Sequence, residues 1–154
     1  MKLRFLVVFS FLAVFGTTNQ SCEKEKGSNT TNISSHGASE SHNMGKNCMT
    51  CHVSGGEGQG WFQVAGTCYN SALTNTYANV TVKLYTGPDG TGTLRATIDG
   101  DANGNFFTTA SVDFTGGLYP AVTGSGATKY MPMAISNGQC NSCHGVSSDK
   151  IWTN

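Results

Sequence analysis

The chain carries one short pattern twice. Asn47-Cys48-Met49-Thr50-Cys51-His52 is echoed by Gln139-Cys140-Asn141-Ser142-Cys143-His144. Two thiols and an imidazole at C-x-x-C-H spacing commit each segment to a tight turn facing a metal, a cofactor or another thiol. Whatever fold lies between them must therefore present two such turns. The 87 intervening residues contain no internal repeat, so the motif recurs on a scaffold that does not.

Between the motifs the apolar residues recur with a period of two. Val80, Val82 and Leu84 alternate with Thr81, Lys83 and Tyr85, and Leu94, Ala96 and Ile98 alternate with Arg95 and Thr97. Phe106, Thr108, Ala110 and Val112 fall on one face, and Phe107, Thr109 and Ser111 on the other. Such alternation marks half-buried strands. Turn sequences separate them: Gly87–Gly92, Asp99–Asn105 and Thr115–Gly117. Phe62–Tyr69, Leu118–Val122 and Lys129–Ala134 complete six or seven strands. The expected fold is mainly β: a small antiparallel β-sandwich over about 61–135, flanked by the two motif segments with short helical turns. The 20 glycines suit such a fold, and 12% charged residues with zero formal net charge give no sign of the basic face usual in a nucleic-acid binder.

The first residues read as an export signal. Lys2 and Arg4 precede Phe5–Phe15, apolar except for Ser10, a run too short to span a membrane permanently. Cys22 then stands where cleavage would fall. This order resembles a bacterial lipoprotein signal, which implies a lipid on Cys22 and a membrane-anchored chain on the periplasmic face or cell surface. The usual Leu three residues before the Cys is replaced by Asn19, while Ser21 fits. The expected organisation is a signal over 1–21, a flexible tether over 22–41 and a site-bearing domain over 42–154. The tether assignment rests on composition, since Glu23–Ser41 has one large apolar residue, Ile33, to set against its ordering entropy. From Cys22 onward, seven Lys or Arg face nine Asp or Glu.

In an exported chain six cysteines suggest disulfides, but the spacing argues otherwise. Two thiols two residues apart can add to the two vinyl groups of one porphyrin edge, and the next residue then offers an imidazole to the iron. This is the c-type haem attachment pattern. Cys48, Cys51, Cys140 and Cys143 are thus expected to attach two covalent haems, with His52 and His144 as proximal ligands. A four-cysteine zinc site leaves both histidines unexplained, and a thioredoxin-like site lacks its βαβ setting.

For the distal positions His42, six residues before Cys48, is the first choice, serving the first haem or reaching the second. Met133, seven residues before Cys140, is the thioether choice for the second. His36 and Met131 are the alternatives; Met44 and Met49 are weaker, Met49 lying inside the attachment loop. A His/Met haem would have the higher potential and a bis-His haem the lower. Cys68 has no partner at haem spacing and reads as buried and inert, with a disulfide to Cys22 as the other reading. Asp99, Asp101 and Asn103 before Gly104 resemble half an EF-hand loop, but Ala110 stands where the closing Glu would be, which favours a hairpin turn over a calcium site.

The order "HNMGKNCMTCHVSGGEGQGWFQVAGTCYN", "VTVKLYTGPDG", "DGDANGNF" and "CNSCHG" resembles exported dihaem c-type cytochromes with a transthyretin- or carboxypeptidase-regulatory-like β-domain between the attachment sites. The resemblance covers about Ser41 to Lys150. Cys68 departs from it, standing where such families have an apolar residue. It implies an electron carrier, not an enzyme, working with redox partner proteins of a bacterial envelope or surface. A haem peroxidase, a small-molecule reductase and a haem-bearing subunit of a surface assembly are the rival readings.

Overall fold

A computed structural model describes residues 26–154. The signal segment and Cys22, with its lipidation or disulfide, lie outside the described residues. Among these the fold is mainly β, with no α-helix and three short 3-10 turns at Cys48–Thr50, Pro88–Gly90 and Cys140–Ser142. No helix among them is long and apolar enough to cross a membrane. Eight strands follow in chain order: β1 (Val64–Asn70), β2 (Thr81–Tyr85), β3 (Leu94–Asp99), β4 (Asn105–Thr108), β5 (Tyr119–Thr123), β6 (Thr128–Tyr130), β7 (Gly138–Gln139) and β8 (Ile151–Thr153).

They form two sheets of four strands. The second, ordered β3-β2-β5-β6, is antiparallel throughout. The alternation that predicted it is plain in β2, where Val82 and Leu84 are buried and Thr81, Lys83 and Tyr85 only partly so. Val64, Cys68 and Phe106 of the first sheet join Val82, Leu84, Ile98 and Val122 of the second in one hydrophobic core with Val80 and Leu118.

The first sheet departs from the all-antiparallel expectation. β4 pairs antiparallel with β1, but β7 and β8 both run parallel to it. Parallel neighbours need a long crossover, and here the whole of β2–β6 supplies it. The consequence is specific: β7 pairs with Val64 and Ala65, β8 with Cys68 to Asn70, and the second motif lies between them. That segment is thus held at both ends along one strand.

Two strand ends also differ from the sequence reading. β4 stops at Thr108, because the Thr108 hydroxyl accepts the Ala110 N–H in place of a ladder partner. β6 stops at Tyr130, two residues before Pro132, which has no N–H to give.

The tether expectation needs the larger correction. From Gly27 the chain lies along the domain. Gly27 N–H donates to Gly56, Ile33 bridges Thr108 antiparallel, and Ser34 is buried with its N–H on the Phe107 carbonyl. The His36 ring nitrogen Nε2 sits 3.0 Å from the Val80 carbonyl. Composition misled because the stabilisation comes from backbone pairing on the exposed edge of β4, which polar residues supply as well as apolar ones.

Cys68 is fully buried in the core, and burial pushes its thiol up to about 12. Such a thiol is neutral and unreactive at physiological pH.

Candidate functional site

Each motif folds into the same turn. In the first, the Cys51 and His52 N–H groups both donate to the Cys48 carbonyl, at 3.1 and 3.0 Å. In the second, Cys143 and His144 do the same to Cys140, at 3.3 and 3.0 Å. The hydroxyl at the third position closes each turn backwards, Thr50 onto the Asn47 carbonyl at 2.8 Å and Ser142 onto Gln139 at 2.6 Å. Each leading thiol points at the carbonyl two residues earlier, Cys48 at Lys46 and Cys140 at Gly138. The shared local sequence therefore produces a shared geometry on unrelated surroundings.

The two histidines are oriented alike. His52 Nδ1 lies 2.8 Å from the Gln59 carbonyl, and His144 Nδ1 lies 2.6 Å from that of Asp149. A carbonyl only accepts, so Nδ1 carries the proton and Nε2 is left with its lone pair. That is the tautomer a metal-binding imidazole needs, and a second partner on the other nitrogen is what fixes such a ring. The His52 ring is also gripped between two surfaces. Phe62 stacks on it at 4.1 Å and 7°, while a Cβ on Gly58 would sit 2.7 Å from the ring. Phe62 rests in turn on Phe107.

The two turns face two cavities on opposite sides of the first sheet. The first, about 370 Å³, is lined by His42, Cys48, Cys51, His52, Phe62 and Phe107 among others. The second, about 760 Å³, opens between the sheets, where Val82, Leu84 and Phe106 meet Cys140, Cys143 and His144. Successive strand side chains point to opposite faces, so the adjacent Phe106 and Phe107 of β4 serve different cavities. Both turns nevertheless sit close together: Asn47 Nδ2 donates to Gln139 Oε1 at 3.3 Å, joining the residues that precede each leading cysteine.

Gly66 makes the second turn possible. A Cβ there would lie 2.4 Å from the Phe106 ring and 3.0 Å from Cys140 Cβ. Glycine ordinarily weakens a strand interior, yet Gly66→Ala is expected to lower stability by about 1–3 kcal/mol through overpacking. Urea unfolding would read this; a raised midpoint would show that the turn does not press on β1 there.

The remaining sequence candidates separate clearly. His42 reaches the first site: its ring centroid is 6.2 Å from that of His52. The two imidazoles line the same cavity. Met131 and Met133 line the second cavity, Met133 being 66% exposed. His36 lines neither cavity, tied instead to Val80 and 3.5 Å from Asp99. Among the described residues no three His, Cys, Asp or Glu side chains converge at metal-binding range, so the four cysteines are not gathered as a zinc centre would gather them. Burial pushes the Cys48 thiol up and the Cys140 thiol up to about 12, opposite to the activated thiolate of a redox disulfide.

The Asp99–Asn105 turn is a backbone device. Asp101 is buried and its Oδ1 accepts the Asn103 and Asn105 N–H groups at 2.9 and 3.0 Å. The sequence did not reveal where the asparagine side chains go. Asn103 and Asn105 reach the Ser41–His42 segment, a role that no spacing rule encodes.

No family model matches the chain, and comparison with curated proteins and with solved structures finds no significant relative.

Proposed function

We propose that the chain is a dihaem c-type cytochrome that passes single electrons at a bacterial envelope or surface, its β-domain a sandwich of the transthyretin or carboxypeptidase-regulatory kind. The observation that carries this reading is the duplicated turn: two C-x-x-C-H segments in one geometry, each with a histidine Nε2 left open beside a cavity. In this reading Cys48 and Cys51 would hold one haem with His52 to bind its iron, and Cys140 and Cys143 would hold the other with His144. His42 is the distal ligand at the first and Met133 at the second.

A haem supplies an iron that exchanges one electron at a potential set by its axial ligands. The chain does the rest. The Gln59 and Asp149 carbonyls hold the proximal rings in the binding tautomer, and Phe62 and Gly58 keep His52 from turning. The Asn47–Gln139 bond and the common strand β1 keep the two turns adjacent, which supports electron exchange within one chain. The pairing of His with His at one site and His with Met at the other sets the downhill direction from the first to the second. Lipid on Cys22 would tie the carrier to the membrane, and redox proteins of the envelope or surface would be its partners.

Intact mass and a haem assay on protein matured in a host that makes cytochromes c are expected to give two covalent haems per chain. Zinc or a disulfide in their place would sink the proposal. The enzyme reading has one observation in its favour, the exposure of Met133 at the mouth of the larger cavity. Carbon monoxide bound at once by the reduced second haem would favour it; an inert spectrum favours the carrier.

A further inference from the structure

Resting on the haem reading, we propose that the Asp99–Asn105 turn is the positioning device for His42 at the first site. Its EF-hand look comes from residues that hold a histidine-bearing strap.

The strap runs from Ser41 to Gly45. At its start the Asn103 amide donates to the carbonyls of Ser39 and Ser41, at 3.0 and 2.9 Å. The Asn105 amide donates to Ser41 Oγ at 2.9 Å and to the His42 carbonyl at 3.2 Å. At its end Gly45 N–H donates to Thr67 Oγ1 at 2.8 Å. The Thr67 hydroxyl donates in turn to Asn105 Oδ1 at 2.6 Å, so both ends of the strap close on one buried pair. Thr67 and Asn105 are 0% and 1% exposed and face each other across β1 and β4. Asn43 and Gly45 both take positive φ, 56° and 80°, so the strap is a tight bend rather than a passing loop. A Cβ on Gly45 would lie 2.4 Å from the Tyr69 hydroxyl, which fixes how closely that bend sits on the strand.

The His42 side chain itself has no hydrogen bond among the described residues; its ring faces that of His52 at 6.2 Å between centroids. With no side-chain hydrogen bond to fix it, the imidazole takes its place at the cavity from the backbone that carries it. The anchoring therefore falls to Asn103, Asn105 and Thr67, and Asp101 fixes the turn that carries the two asparagines. These are positioning residues, acting on the metal through His42. Buried polar networks of this kind specify one arrangement only when every member is satisfied.

The test compares Asn103→Ala and Asn105→Ala with His42→Ala in the dihaem protein. Each is expected to keep two covalent haems. Each is also expected to bind carbon monoxide, after reduction, at one more haem per chain than the parent does, fully for His42→Ala and partly for the asparagine variants. Added imidazole should restore the six-coordinate spectrum in all three, which a merely destabilised domain would not do. Asn105 is buried, so its variant can fail to fold; Asn103 is partly exposed and keeps the test decisive. Two haems with unchanged spectra and unchanged carbon monoxide binding in both asparagine variants would overturn the assignment. Loss of haem from the parent protein itself would instead overturn the reading on which it rests.

Discussion

Replacing Cys140 and Cys143 together by serine leaves a folded chain that carries one haem in place of two. The expectation follows from how the second turn is mounted. β7 and β8 pair with β1 on either side of it, so the segment keeps its place through backbone bonds that need neither thiol. Cys68 cannot take over, because it is sealed in the core with its thiol pushed up to about 12. On the proposed reading the remaining haem would be the one attached through Cys48 and Cys51, with His52 and His42 as the residues to bind it. The reciprocal Cys48→Ser, Cys51→Ser chain retains the other, with His144 and a thioether. Intact mass counts the haems, and redox titration orders them, the bis-His centre lying at lower potential than the His/Met centre. Two haems retained in either variant, or the reverse order of potentials, would refute the assignment of ligands.

Much of the β fold was legible in the sequence, and the boundary has physical causes. Period-two alternation exposed β2 because Val82 and Leu84 alone of its residues are buried; in β3 only Ile98 is buried, and β4 is buried on both faces at Asn105 and Phe106. The alternation understated β1, where six of seven residues are buried, because the motif turns and the strap cover the face that solvent would otherwise reach. The motif histidines were legible because the local turn fixes them: a hydrogen bond from the fifth residue to the first is written into C-x-x-C-H. The strap was not. Ser41 and His42 are held by amides more than sixty residues away, and composition alone made their segment a tether. The same holds for Gly66, whose bare Cα matters only because Phe106 of β4 and Cys140, from the turn after β7, converge on it.

The two phenylalanines of β4 carry the second large effect. Phe106 is 1% exposed, belongs to the shared core and lines the second cavity. Phe106→Ala is expected to cost about 3–5 kcal/mol, the range for an aromatic removed from a packed core. Phe107 points the other way, is only partly buried and lines the first cavity, so Phe107→Ala costs less. Their spectral effects should divide by face: Phe106→Ala disturbs the haem held by Cys140 and Cys143, and Phe107→Ala the one beside His52, whose ring stands on Phe62 and through it on Phe107. Urea midpoints and the split of the two potentials read both quantities. A cycle with Gly66 sharpens the point. The Cβ of Gly66→Ala collides with the Phe106 ring in the parent, so in Phe106→Ala it enters space the ring has left and costs less than it does alone. If the two penalties simply add, then Gly66 is not glycine on account of Phe106, and the second turn is seated on β1 by the Cys140 contact alone.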